Sequence, residues 1–181
     1  MIKESHKSRL KKLAGIISEN DDINSNVEKS FLHTGVGMIL KLKPEDLNKV
    51  LDINIPTEDL TTNLKMTNLP SDKTHVTLTS IKGFKPFEDD FINFKLSEQI
   101  EVPNILVGEC QFVHRVDENK VTYVMSLLNQ GEFKTFVDKV YNSVGLENPE
   151  PDRFYHITLA NNEGGNPFKS IGNVTKKDFE K

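Results

Sequence analysis

The chain has 181 residues, of which 36% are hydrophobic and 28% are charged, a composition typical of a folded globular protein. This length suits one compact unit with a sizeable core and is short for two independent domains. The formal net charge of −4 argues against an extended basic surface for nucleic acid, because such binding needs many Lys and Arg side chains against phosphates.

The N-terminal part is predicted to be an amphipathic helix and a linker, residues 1–26. Apolar side chains recur there at helical spacing among Lys, Ser and Glu, and the polar run that begins at Glu19 ends the helix. The apolar run Phe31 to Leu42 then predicts a strand. A turn and a second helix, Leu47 to Ile53, follow, with Pro44 near the first helical turn.

The middle of the chain is predicted to be rich in strands. Thr74 to Ile81 alternates polar and apolar residues for eight positions, which predicts a strand with one polar face. Gly83 to Asn93 is predicted to be a loop or a short helix. Three further strands are predicted from Phe94 to Val102, from Ile105 to Val116 and from Val121 to Leu128.

The C-terminal part begins with a helix from Glu132 to Val144, where Phe, Val and Tyr recur at intervals of three and four residues. Arg153 to Ala160 then predicts a second strand with the same alternation as the first motif strand. A turn-rich loop follows. We therefore predict one folded domain over residues 27–170 and a charged tail over residues 171–181.

A strand, a helix and a strand carrying His-x-Thr-Leu occur twice in this order. The two motifs are His75-Val76-Thr77-Leu78 and His156-Ile157-Thr158-Leu159. Because residues i and i+2 of a strand share a face, each motif places one imidazole beside one hydroxyl and turns its apolar residues to a core. The repetition predicts a diverged duplication.

Two such strands facing one groove suit the cleavage of a phosphodiester. One neutral histidine removes a proton from the attacking water or ribose hydroxyl, and the other, protonated, donates to the departing oxygen. The threonine hydroxyls hold the non-bridging phosphate oxygens. This chemistry needs no metal or cofactor, and a zinc site is the weaker alternative because the chain has one Cys, Cys110, and no His-x-x-x-His.

The doubled motif resembles the two-histidine (2H) phosphoesterase superfamily, over roughly residues 31–165. That superfamily includes bacterial 2′,5′ RNA ligase-like proteins, cyclic phosphodiesterases, viral 2′,5′-phosphodiesterases and phage enzymes that destroy cyclic-nucleotide alarm signals. The resemblance implies an α+β, bilobal, pseudo-twofold fold in which each lobe is an antiparallel-rich sheet with a packed helix. It implies an active site in the cleft between the lobes. The catalytic residues that the resemblance implies are His75, Thr77, His156 and Thr158, and it does not assign which histidine is the acid and which the base.

Five other residues are candidates for substrate binding. Phe154 shares the strand face of the second histidine, where an aromatic ring can stack on a base, although packing is the alternative. His114 and Arg115 lie on a predicted strand and can contact phosphate, or they are simply surface residues. Gly164 and Gly165 follow the second motif and can let backbone amides approach a phosphate, or they only form a turn.

Arg153 is predicted to be a surface charge, because it lies three residues before His156 and would point to the opposite face of an ideal strand. The family pattern sometimes has Arg or Lys shortly after the second motif, whereas Asn161 and Asn162 stand here and the nearest base is Lys169. The anchoring of the phosphate is therefore left open.

The sequence predicts a metal-independent phosphodiesterase acting on a cyclic or 2′,5′-linked nucleotide. Acidic net charge and scarce arginine favour a small substrate, as for a phage-type enzyme that degrades cyclic-nucleotide immune signals. The alternatives are an RNA end-processing 2′,3′-cyclic phosphodiesterase and a non-catalytic module that sequesters nucleotide. We infer no membrane or protein partner. A single cysteine and no signal-peptide pattern predict a cytoplasmic location, in the host cytoplasm if the protein is viral.

Overall fold

The computed structural model describes residues 32–33, 37–51, 66–92, 94 and 96–180. The predicted N-terminal helix and linker, residues 1–26, lie outside these ranges. Within them, no helix is long and apolar enough to cross a membrane.

The described residues form an α+β structure with one antiparallel sheet and three α-helices. Five short 3₁₀ helices lie in the connections. The strands are β1 (Leu32–His33), β2 (Gly37–Lys41), β3 (Thr67–Asn68), β4 (His75–Thr79), β5 (Val107–Arg115), β6 (Lys120–Leu127) and β7 (His156–Asn161). The α-helices are α1 (Pro44–Leu51), α2 (Ile81–Phe84) and α3 (Gln130–Ser143). The 3₁₀ helices are Ser71–Lys73, Lys85–Phe91, Val116–Glu118, Pro167–Lys169 and Lys176–Asp178.

The sheet runs in the order β1-β2-β4-β7-β6-β5, and the short strand β3 pairs with β7 beyond the end of the β4 contact. The predicted α+β class and antiparallel sheet are confirmed. The predicted bilobal arrangement is not shown. β4 hydrogen-bonds directly to β7, so the two motif strands are neighbours in the middle of one continuous sheet and not members of two separate sheets.

Most of the predicted elements between residues 37 and 161 are confirmed, but the strand predicted from Phe94 to Val102 is wrong. Phe94 packs against Phe91 with ring centroids 5.5 Å apart, and Leu96 is buried in the core. Ile100 then closes a turn on Ser97. The apolar residues of this segment thus pack an irregular connection against the core, and their spacing in the sequence is like that of a strand.

The larger core lies between α3 and one face of the sheet. The apolar stripe of α3 is almost fully buried, and the inward residues of both motif strands, Val76, Leu78 and Ile157, are 0% exposed. Full burial of one large apolar side chain contributes about 1.5–3 kcal/mol. The buried α3 residues are Phe133, Phe136, Val137, Val140 and Tyr141. This helix therefore covers the face of the sheet opposite to the one that carries the His and Thr side chains.

The C-terminal residues cover part of the opposite face of the sheet, which we call the motif face. Ile171 and Val174 are buried there in a second cluster with two strand residues, Val113 and Val124. The predicted charged tail thus contributes apolar side chains to the folded unit. A charged contact holds it in place: Arg115 donates from Nη1 and Nη2 to the two carboxylate oxygens of Asp178, at 2.9 and 3.1 Å.

Replacing Asp178 with Asn is expected to lower the free energy of unfolding by about 1 kcal/mol, because the partly shielded two-point contact with Arg115 is weakened. Urea unfolding monitored by circular dichroism measures this change. Lys177→Gln, an exposed neighbour, is the matched control and should leave stability unchanged. Equal stability of D178N and the wild type would contradict a clamping role for this ion pair.

Candidate active site

The register between β4 and β7 brings the four motif residues together. Val76 is the partner of Ile157 in this antiparallel pair. One step forward along β4 matches one step back along β7, which places His75 opposite Thr158 and Thr77 opposite His156. Directly opposed side chains share a face, with Cβ atoms about 4.5–5.5 Å apart. His75, Thr77, His156 and Thr158 therefore form one compact group, which we call the quartet.

β4 pairs with β2 in the same way as β7 pairs with β6. In both halves the register shifts by one residue immediately after the Thr, so Leu78 and Leu159 are the extra residues of two equivalent bulges. The matching registers agree with the predicted duplication. The pairs in the first half are Lys41–His75, Leu40–Val76, Ile39–Thr77 and Met38–Thr79. Those in the second half are Ser126–His156, Met125–Ile157, Val124–Thr158 and Tyr123–Ala160.

The two imidazoles are oriented by equivalent contacts. Nδ1 of His75 lies 2.6 Å from the carbonyl oxygen of Lys73, and Nδ1 of His156 lies 3.1 Å from that of Phe154. A carbonyl oxygen only accepts hydrogen bonds, so Nδ1 is the donor in each ring. The neutral form of each ring then carries its lone pair on Nε2, which makes Nε2 the atom that exchanges protons with a substrate.

Burial distinguishes the two histidines. His156 is 6% exposed, whereas His75 is only half-buried. Burial lowers the pKa of His156 to about 4. The hydrogen bond to the Phe154 carbonyl opposes this shift, and the nearby Arg153 and His75 add to it. The His156 ring is therefore neutral at physiological pH and able to accept a proton.

Arg153 does not lie on the surface as predicted. Its side chain is 10% exposed, and its Nε donates to the backbone carbonyl of Thr77 at 2.9 Å. The prediction failed because β7 begins only at His156, so the alternation of an ideal strand does not extend back to Arg153. This guanidinium instead ties the segment before β7 to the first motif strand.

Glu150 completes this connection between the two motif strands. Its Oε2 accepts from Nη1 of Arg153 at 2.7 Å and from the backbone N–H of Ser80 at 2.8 Å, and the Ser80 hydroxyl donates to Oε1. Burial alone would raise the pKa of Glu150, but the Ser80 hydrogen bonds and the Arg153 charge hold it below its ordinary value. The Glu150 carboxylate is therefore charged and is bonded to both Arg153 and Ser80.

Lys41 is a cation beside the quartet that sequence reasoning missed. It is the last residue of β2, is exposed, and lies directly opposite His75. Opposed residues share a face, so Lys41 lies on the motif face. The equivalent position in the second half is Ser126, opposite His156. No local sequence signal marks Lys41, because its place depends on the pairing of β2 with β4.

The structure does not bring His114 and Arg115 to the quartet. His114 is exposed and shares a strand face with Phe112, which packs with the α3 side of the sheet. Arg115 lies on the motif face, but its guanidinium is bound to Asp178 and to the carbonyl oxygen of Asn173. Its donors hold the C-terminal segment.

Phe154 lies on the motif face near His156, as its position in the sequence predicts. Its ring packs in the second cluster, 5.2 Å from the ring of Phe179, and its carbonyl oxygen orients His156. Packing is therefore one established role of Phe154. Its ring also lines the cavity considered below.

Gly164 and Gly165 lie at the far end of β7 from His156. Both have left-handed backbone angles, with φ of 69° and 72°. The amide of Gly165 donates to the side chain of Asn161 at 2.9 Å, and a Cβ at this position would lie 2.6 Å from the carbonyl oxygen of Asn68. The structure thus shows the turn-forming role for Gly165 and does not place these glycines at the quartet.

Among the residues that the structure describes, no group of three or more His, Cys, Asp or Glu side chains is placed to hold a metal ion. Comparisons of the chain with protein-family models, with curated proteins and with solved structures find no match.

The low pKa of His156 predicts a pH-dependent stability. Its folded-state pKa of about 4 lies below the ordinary 6.5. As the pH falls from about 6.5 to about 4, the unfolded chain therefore binds a proton at this histidine and the folded chain does not. Between about pH 7 and pH 4.5, this histidine is expected to cost the wild type roughly 2 kcal/mol of unfolding free energy that the His156→Gln variant does not lose.

Urea unfolding at both pH values measures the difference, and His114→Gln, which removes an exposed histidine, is the control. Parallel pH profiles of wild type and H156Q would show that the imidazole of His156 titrates in the folded protein as it does in water.

Proposed function

We propose that this protein is a metal-independent phosphodiesterase of the 2H type, which cleaves a cyclic or 2′,5′-linked nucleotide phosphodiester by general acid–base catalysis. The quartet carries this proposal. His75 and His156 are diagonal neighbours across the β4–β7 pair, a relation that separates residues by about 7–8 Å and their Cβ atoms by somewhat less. A phosphate group held between two such imidazoles is within reach of both.

In this proposal His156 is the general base and His75 the general acid. Nε2 of neutral His156 takes the proton of the attacking hydroxyl, from water or ribose, as its oxygen bonds to phosphorus. Nε2 of protonated His75 gives its proton to the oxygen whose bond to phosphorus breaks. The buried, low-pKa imidazole of His156 and the more exposed ring of His75 support this direction.

The phosphate is held by the hydroxyls of Thr77 and Thr158 and by the ammonium of Lys41. Each hydroxyl lies opposite a catalytic imidazole, where it can donate to a non-bridging oxygen while the phosphorus stays in line between the histidines. The Lys41 charge counters the negative charge that develops in the transition state. This supplies the phosphate anchor that the residues after the second motif lack.

We further propose that the two strand-helix-strand halves are related by the pseudo-twofold axis of the 2H fold, which passes between β4 and β7. The sheet order β2-β4-β7-β6 and the equivalent bulges at Leu78 and Leu159 support this relation. The favoured substrate is a cyclic-nucleotide immune signal, degraded by a phage-type enzyme. The net charge of −4 supports a small substrate over a long RNA.

The purified protein is expected to cleave at least one member of a panel in excess EDTA: 3′,3′- and 2′,3′-cyclic dinucleotides, 2′,5′-oligoadenylate and an RNA ending in a 2′,3′-cyclic phosphate. His75→Ala and His156→Ala should each lower the rate by roughly 10²- to 10⁴-fold, because each removes one proton-transfer group. Mass spectrometry of the products identifies the bond broken, and His114→Ala is the control.

Cleavage of the cyclic-phosphate RNA alone would reassign the protein to RNA end processing. Tight binding without any product would make it a sequestering module. Cleavage that survives both histidine substitutions would overturn the mechanism.

Lys41→Gln is expected to lower kcat by roughly 10- to 100-fold with a smaller change in KM, because the lost charge acts mainly on the transition state. Lys43→Gln is the matched control, since Lys43 is exposed and lies beyond the end of β2. Steady-state kinetics on the substrate found in the panel measures both constants. Equal kcat values for K41Q and K43Q would remove Lys41 from the proposed site.

A further inference from the structure

A surface cavity of about 760 Å³ lies where three segments of the chain meet. These segments are the first turn of α3, residues 150–154 before β7, and residues 172–176 in the C-terminal part. None of the quartet side chains lines the cavity, so it is not part of the candidate active site. Its volume falls within the roughly 300–1,000 Å³ that is usual for small-molecule sites.

The first turn of α3, which forms one wall, has unpaired backbone amides. α3 has no side-chain cap at its N-terminus. The side chain of Asn129, at the position of a cap, instead donates to the carbonyl oxygen of Asn104 at 2.9 Å and to Glu132 at 2.8 Å. The backbone N–H groups of Gln130 and Gly131, both lining residues, donate to no described residue. Free N–H groups and the dipole of a helix N-terminus favour an anion at this wall.

Arg153 is a second and independent feature that favours an anion. Its side chain lines the cavity and is only 10% exposed. Nε donates to the carbonyl oxygen of Thr77 and Nη1 to Glu150, whereas Nη2 makes no hydrogen bond with a described residue. Two bonds thus hold the planar guanidinium in place, and the N–H groups of Nη2 are left for a ligand, which need not pay to order this side chain.

The other charged residues of the lining add to the positive charge. Lys134 and Lys176 also line the cavity, and Nζ of Lys134 donates to the uncharged carbonyl oxygen of Pro151 at 2.7 Å, which does not cancel its charge. Of the two lining carboxylates, Glu150 is paired with Arg153 and Asp152 is exposed to solvent. The balance of charge in the walls is therefore positive.

We infer that this cavity binds a small organic anion, whose phosphate or carboxylate group is held by the start of α3 and by Arg153. Phe154 and Val174 line the cavity and belong to the second cluster, so they give it an apolar wall for the rest of the ligand. The inference does not depend on the proposed function, because no quartet residue takes part in the site.

Calorimetric titration in a phosphate-free buffer tests the site with three probes that share one ring: phenyl phosphate, benzoate and uncharged benzyl alcohol. We expect at least one anion to bind, and benzyl alcohol to bind at least about tenfold more weakly, because charged acceptors make the stronger hydrogen bonds to a guanidinium and to free amides. The anion that binds more tightly identifies the head group that the site prefers.

Gly172 offers a way to fill the cavity without crowding the fold, since it lines the cavity and a Cβ added there would meet no atom within 4 Å. Gly172→Leu should weaken binding of the anion at least about tenfold by occupying its space. Lys177→Leu adds the same side chain at an exposed residue outside the cavity and should bind as the wild type does. Circular dichroism and urea unfolding establish that both variants are folded.

Lys134→Gln should weaken binding about two- to fivefold, because it removes one exposed charge from the wall. Lys139→Gln removes an exposed lysine from the same helix outside this cavity and is the matched control. His75→Ala separates the cavity from the quartet, since a phosphate held by the quartet would lose a partner in this variant and an anion in the cavity would not.

The inference is overturned if neither anion binds, or if benzyl alcohol binds as tightly as the anions. Equal binding by the wild type and G172L, or equal losses in K134Q and K139Q, would also place the anion outside this cavity. Loss of binding in H75A would assign the anion to the quartet instead.

Discussion

The hydrogen-bonded pairing of β4 with β7 is the constraint on which the rest of the structure depends. It joins the two halves of the chain into one sheet and sets His75 against Thr158 and Thr77 against His156. A slip of one residue would move one histidine and its threonine to the α3 side, because strand side chains alternate between faces. The buried partners Val76, Leu78 and Ile157 oppose such a slip, since each would lose its place in the core.

A partly buried network of charged groups supports this pairing in addition to the hydrogen bonds between the strands. Glu150 and Arg153 precede β7, yet they bind Ser80 and the Thr77 carbonyl at the end of β4. Buried charges are costly unless they are paired and hydrogen-bonded, and removal of one partner leaves the other uncompensated. The network therefore favours one relative placement of the two motif strands, and with it one geometry of the quartet.

Alternation and helical spacing were sufficient to predict the parts of the fold whose pattern is local. The two motif strands and α3 were found in this way, as was the face shared by each His and Thr. The position of Lys41 beside the quartet was not predicted, because it depends on the pairing of β2 with β4. The burial of the Arg153 side chain was not predicted, because it depends on where β7 begins. The prediction of a strand from Phe94 was wrong for a related reason. Buried residues of an irregular segment can show the same apolar spacing as a strand without its backbone hydrogen bonds.

The unequal burial of the two histidines has a consequence for repeated turnover. In the proposed reaction one cycle leaves a proton on His156 and takes one from His75, so both protonation states would have to be restored before the next substrate binds. His75 is half-buried and can regain its proton from water, whereas His156 is enclosed and its low pKa expels the proton once product has left. The same asymmetry that orients the chemistry would thus also reset it, without a dedicated proton relay.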